Sequence, residues 1–159
     1  ERSVEVFSKF GVFTEAELLS RAEIEYEVYA KKRNIEAKTM IDIIRKQIIP
    51  ATIRYTTVLA ESVNQVSATG TGADVSTQKD MLCEVSACLK ETKECLTALE
   101  EAEARGITMK GDFRRRAVYY RDEVLPAMEK LRKPVDRLEM LVDKSMWPMP
   151  SYGDMIFEV

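Results

Sequence analysis

Apolar residues recur at helical spacing through almost the whole stretch between residues 14 and 144, and strand-like alternation is scarce. The first start signal is Thr14-Glu15-Ala16-Glu17, which reads as a capping box. There the Thr14 hydroxyl accepts from the amide three residues on, and the Glu17 side chain reaches back. It predicts a helix over about 14–33. Beyond it Ala37, Ile41, Ile44, Ile48, Ala51, Tyr55 and Val58 alternate steps of four and three. That is one helical face sustained from about 34 to 66, roughly 50 Å at 1.5 Å per residue. The pattern leaves open whether the two stretches join into one rod.

The small residues of Ala68-Thr69-Gly70-Thr71-Gly72-Ala73 end this face. A helix over about 76–105 follows, with Leu82, Val85, Leu89, Thr92, Leu96 and Leu99 in register. Gly106 reads as the residue just past its end, where a positive φ suits glycine, with Ile107 as the accompanying contact. A last helix over about 112–144 carries Val124, Met128, Leu131, Val135, Leu138 and Val142 on one face. Burying three such stripes together predicts an all-α antiparallel bundle of three to four long helices. Pro50, Pro126 and Pro134 fall inside them, and each removes a backbone hydrogen bond, so bends are expected there. The chain divides into an apolar lead-in (1–13), the bundle (14–145) and an extended tail (146–159).

The 159 residues suit one domain with a sizeable core. With 24 basic and 27 acidic side chains, net −3, no surplus of cations favours nucleic acid as a partner. The chain has no histidine. That removes Ser-His-Asp and Cys-His nucleophiles, HExxH zinc sites and Glu-x-x-His di-iron bundles. Three cysteines make no disulfide scaffold and favour a reducing compartment. No apolar run approaches the ~20 residues a membrane span needs. The opening Glu1-Arg2-Ser3 is no signal peptide, and reads as a cut within a longer protein.

Four clusters invite chemistry, and each has a plainer reading. Cys88 and Cys95 share a helical face, with Cys83 turned about 140° away from Cys88, so packing is expected rather than metal ligation. Gly70-Thr71-Gly72 lacks the lysine and preceding strand of a phosphate loop and reads as a surface loop. Arg114-Arg115-Arg116 point in three directions, with Asp112, Asp122 and Glu123 near, so salt-bridged surface arginines are expected. The triplets Glu23, Glu25, Glu27 and Glu100, Glu101, Glu103 read as solvated faces, since alternate helical residues diverge. No catalytic, cofactor-binding or metal-ligating residue is assigned.

The tail is the most distinctive segment. It holds the only Trp, two prolines that forbid regular helix, and large apolar residues that water would leave as a sticky patch. Trp147, Tyr152, Ile156 and Phe157 are therefore candidate docking residues, onto the bundle itself or across an interface. Phe7, Phe10 and Phe13 raise the same question at the other end.

The wording of several blocks resembles the C-terminal helical region of the type III glutamine synthetases. Asn34-Ile35-Glu36-Ala37-Lys38-Thr39-Met40-Ile41-Asp42, continuing to Ile48-Ile49-Pro50-Ala51, is one such block. Leu141-Val142-Asp143-Lys144 followed by Trp147-Pro148-Met149-Pro150-Ser151-Tyr152 is another. Phe10-Gly11-Val12-Phe13-Thr14-Glu15-Ala16-Glu17-Leu18 with Ser20-Arg21 is similar to the lead-in of that region. The resemblance implies a cytoplasmic, homo-oligomeric parent that joins ammonia to glutamate using ATP and Mg. It places those contacts in upstream domains, so no functional residue is carried onto this chain. What it implies here is a non-catalytic helical part that packs on the upstream catalytic domain or joins subunits. Two other classes remain. One is a free-standing helical module that binds a partner helix or peptide in a groove. The other is a metallo-bundle enzyme built on converging carboxylates.

Overall fold

The computed structural model describes residues 2–150 and 152–157, without the side chains of 2, 3, 152, 153 and 157. After a short helix α1 (Arg2–Lys9) the chain turns at Gly11, which has φ +63°. Helix α2 (Glu15–Ile43) opens on the capping box in full. The Glu17 amide donates to the Thr14 hydroxyl at 3.3 Å, and the Thr14 amide donates to the Glu17 carboxylate at 2.8 Å. A π-helical turn (Ile44–Ile48) leads without interruption into α3 (Ile49–Ala68), so the two predicted stretches make one rod of 54 residues. Helix α4 is Ser76–Thr108. A second composite rod joins α5 (Phe113–Tyr119), a π-turn (Tyr120–Val124) and α6 (Leu125–Leu141). Helix α7 is Tyr152–Phe157. Among the described residues there is no strand.

Cross-helix pairs fix the directions. Lys38 on α2 and Arg45 on the first π-turn meet Glu103 and Glu100 on α4, so the first rod and α4 run oppositely. Tyr119 bonds Ala102, and Arg137 pairs with Glu84, so the last rod also opposes α4. The result is a three-rod antiparallel bundle. Its core includes Ala37, Ile44, Ile48, Val85, Leu96, Leu99, Val124, Leu131 and Leu138. Each fully buried leucine stabilises by about 1.5–3 kcal/mol relative to an exposed one.

The two π-turns share one geometry: each proline stands six residues after the first residue of its turn, Ile44 to Pro50 and Tyr120 to Pro126. Proline offers no N–H to the carbonyl four residues back, and a wider turn just upstream accommodates that gap. Pro134, by contrast, is buried within continuous α6. The first π-turn also shifts the buried stripe. It passes through Ala30, Ala37 and Ile44 at steps of seven; beyond the turn Ala51 and Tyr55 stay buried, and Thr52 and Leu59, one residue past the earlier register, are buried beside them. Val58, expected on the core face, is exposed for this reason.

Two expectations are corrected. Gly106 does not end α4: it is buried inside that helix, and the positive φ belongs to Gly111, at +88°. The backbone of α4 is bare at Gly106 because the Tyr120 ring occupies the space, not because the chain reverses. The tail is also not extended throughout, since Met146 and Trp147 amides bond Asp143 in a turn and Tyr152–Phe157 is helical. Pro148 and Pro150 exclude helix only in the stretch between.

Candidate docking surfaces

Burial and charge decide what each chemical cluster does. Cys88 and Cys95 are buried, and burial pushes both thiols up from the usual range, so they stay protonated; Cys83 is exposed. Glycines 70 and 72 take φ near +70° in a surface turn between α3 and α4. The arginine run does not form the expected ion pairs: among the described residues none involves Arg114, Arg115 or Arg116. Arg116 instead lies 5.7 Å from the centre of the Tyr120 ring, which sits one turn further along the same face.

The second glutamate triplet also departs from a solvated face. Glu103 is buried, 3.6 Å from Lys38 Nζ, and Glu100 takes a 2.6 Å bond from Arg45. Both cross from α4 to α2, because residues three apart share a helical face that here meets basic side chains. Glu101 pairs along its own helix with Arg105. Among the described residues no group of three His, Cys, Asp or Glu could hold a metal ion. No described helix is long and apolar enough to cross a membrane.

Two surfaces remain that could engage another molecule. The first is a groove of about 610 Å³ between α2, α6 and the tail. Met40, Ile43, Met128, Val135, Trp147 and Met155 give it an apolar lining, and Glu36, Asp136, Glu139 and Arg132 line it with charge. Trp147 and Met146 are half-buried against the core, which Val142 anchors just upstream. Ile156 is exposed, and the Tyr152 and Phe157 side chains lie outside the described residues. Sequence periodicity marks α2 and α6 as neighbours' faces but not their separation, so the groove has no signature in the pattern.

The second surface is an arm. No residue from 15 to 29 is buried, so the first half of α2, about 22 Å long at 1.5 Å per residue, is an exposed arm that meets the core only at its far end, where Tyr29 packs against it. Helix α1 folds back on its start. The Phe7 and Phe13 ring centres are 5.8 Å apart, and the Arg21 guanidinium lies 4.6 Å over the Phe13 ring. Phe10 is 73% exposed. Thus Phe7 and Phe13 join one small cluster, Phe10 stands apart from it, and Trp147 belongs to the groove.

Comparison with known proteins fits this picture of a part. Residues 1–67 match the family model described as the glutamine synthetase C-terminal domain. The chain is 30% identical over 161 residues to a glutamine synthetase of Butyrivibrio fibrisolvens, covering 100% of this chain and 23% of that protein. A glutamine synthetase of Bacteroides fragilis is 28% identical over 92% of this chain and 20% of its own length. A type-3 glutamine synthetase of Dictyostelium discoideum is 29% identical over 99% of this chain and 22% of its own length. The chain therefore spans about a fifth of the length of the curated relatives it matches. By family match and by likeness along its whole length, the chain belongs to the glutamine synthetase C-terminal domain family.

Proposed function

We propose that the chain is the C-terminal helical, non-catalytic portion of an enzyme of the type III glutamine synthetase kind. The parent joins ammonia to glutamate with ATP and Mg, works in the cytoplasm and assembles as a homo-oligomer. Within it this domain packs on the upstream catalytic domain and supports assembly through Phe7, Phe10, Phe13, Trp147, Tyr152, Ile156 and Phe157. The observation that carries the reading is the match of the whole chain to about a fifth of each relative.

The test uses the longer polypeptide with and without residues 1–159. ATP-dependent glutamine formation and sedimentation are measured on both, and on this chain alone. An active, oligomeric parent, an inactive isolated chain and a truncated parent with impaired assembly are expected. A parent without the activity, or an isolated chain that makes glutamine, overturns the reading.

The open apolar groove favours a second reading, a free-standing module that takes an amphipathic helix. The coding sequence upstream of Glu1 separates the two. A catalytic domain there supports the ligase part, and a start codon supports the module.

A further inference from the structure

The arm carries apolar side chains on opposite sides. At 100° per residue, Ile24, Val28 and Ile35 fall within about 40° of one another. Leu19 and Tyr26 fall about 160° away, in line with Ala30, Ala37 and Ile44, which enter the core further along. Leu19 and Ile24 are each 55% exposed, Val28 is 42% exposed and Ile35 is 63% exposed. A lone surface helix shows one apolar stripe, whereas a helix apolar on two sides is enclosed on both.

Charge selects the occupant. From the start of α1 to residue 29 stand six carboxylates (Glu5, Glu15, Glu17, Glu23, Glu25 and Glu27) against three cations, Arg2, Lys9 and Arg21, net −3. Only where the helix enters the bundle do Lys31, Lys32 and Arg33 appear, and Lys31 and Arg33 are paired to Glu27 and Glu36. A second copy laid along the arm sets −3 against −3 within a Debye length of about 8 Å. The groove under Trp147 is a poor seat for the same reason, since three carboxylates, Glu36, Asp136 and Glu139, line it against the single cation Arg132. The arm therefore suits an apolar surface rimmed with Lys and Arg. Relatives of which this chain covers only 20–23% supply a large body of further protein in the same polypeptide.

We propose that the arm, residues 15–29 with α1, is the element by which this domain is clamped into a basic-rimmed apolar cleft of the catalytic body of its own polypeptide. The proposal rests on reading the chain as part of a larger ligase. Amide hydrogen exchange tests it without any variant. Exchange over residues 15–29 is expected to be at least about tenfold slower in the full-length parent than in this chain alone. The double variant Ile24→Asp, Val28→Asp should leave the melting temperature of this chain unchanged, because both sites are exposed in it. In the parent the same variant should return arm exchange to the rate of the free chain.

Equal exchange rates in parent and free chain overturn the proposal. So does a free chain that sediments as a dimer with a protected arm, which would make a second copy the occupant. Glutamine formation is assayed separately. A parent with a protected arm and no such activity sinks the ligase reading but leaves the clamp, and an active parent whose arm exchanges freely sinks the clamp alone. A gene encoding only these residues removes both.

Discussion

Gly106 and Tyr120 share one space. A Cβ on Gly106 would stand 2.9 Å from Cε2 and Cζ of the Tyr120 ring and 3.0 Å from its hydroxyl oxygen. Tyr120 is fully buried, and its hydroxyl donates to Asn34 Oδ1 at 3.1 Å. Three rods thus meet through one ring: α4 gives bare backbone, the second π-turn gives the ring, and α2 gives the acceptor. Beside it the Tyr119 hydroxyl donates to the Ala102 carbonyl and accepts from Arg105, each at 3.1 Å.

The contact makes Gly106→Ala a case of two opposed effects. Alanine in a helix interior is favoured over glycine by about 0.5–1 kcal/mol. Against that, overpacking a filled core costs about 1–3 kcal/mol, and a fully buried ring has nowhere to retreat. The variant should be destabilised by about 1–2 kcal/mol, a fall of about 2–8 °C in melting temperature for a chain of this size. A thermal scan followed by circular dichroism checks it. A rise in melting temperature would mean that Tyr120 does not fill this space.

The first π-turn acts as a one-residue insertion. Because Thr52 and Leu59 stand one residue past the register of Ala30, Ala37 and Ile44, deleting Gln47 together with Pro50→Ala should yield a continuous α-helix with Thr52 and Leu59 still on the core side. Gln47 is exposed, so its loss empties nothing. The double change should keep the fold, with stability altered by about 1 kcal/mol or less. Deleting Thr57 in α3, where no wide turn absorbs the shift, should rotate Leu59 off the core face and lower stability by more than about 3 kcal/mol. Denaturant titration of both variants separates the cases, and equal loss in both would refute the insertion account.

These particulars show what linear pattern carries and what it lacks. Thr14 and Glu17 cap α2 as their spacing indicates, because a capping box is a local device complete within four residues. Val124, Met128, Leu131 and Leu138 line the core as expected for the same reason: their spacing is the face. Gly106 has no unique reading in the sequence, because glycine is required both where φ is positive and where a neighbour needs the space, and only the position of Tyr120 tells them apart. Val58 lost its place to Leu59 through a π-turn that a strict helical period does not contain. Glu100 and Glu103 become cross-helix partners only once α2 lies alongside α4. The arm was closest to legible, since Ile24 and Val28 oppose Leu19 and Tyr26 within α2 itself.

Thr92 is a polar residue with no exposed surface, and its hydroxyl donates to the Cys88 carbonyl four residues back at 2.8 Å. That bond is local and does not specify a partner helix. Replacing Thr92 by Val removes one donor and leaves the Cys88 carbonyl its backbone partner, so the change should be neutral or stabilising by up to about 1 kcal/mol. Thr92→Ala should instead lose about 1 kcal/mol or more, because it opens a void where a methyl packed. Urea midpoints for the pair decide the matter, and a clear loss in the valine variant would show that the hydroxyl satisfies something more than Cys88.

The pH dependence of stability should be a plateau with two edges. On the acid side, Glu17 is held below its ordinary 4.5 by the Thr14 amide and then by the Thr14 hydroxyl. Asp74 is held below 3.8 by the Ser76 amide and then its hydroxyl, Asp143 by the Ser145 hydroxyl and then its amide, and Asp122 by the Arg121 guanidinium. A carboxylate depressed in the folded state binds fewer protons there than in the unfolded chain. Its contribution is therefore complete above the ordinary value and is lost as pH falls through the folded one. On the alkaline side, burial pushes Cys88 and Cys95 above 9.0 and Tyr55 and Tyr120 above 10.0. Those groups ionise first in the unfolded chain, so stability declines as pH rises past their ordinary values. Between the edges the side chain that ordinarily titrates near neutrality is missing, because the chain has no histidine. Melting temperature should thus be flat from about pH 5.5 to 8 and fall on both sides. Thr14→Ala should shrink the acid edge only in part and leave the alkaline one untouched, since it removes the hydroxyl that Glu17 bonds but keeps the backbone amide, the larger of the two causes. A step in melting temperature near pH 6.5 would contradict the assignment of every group named here.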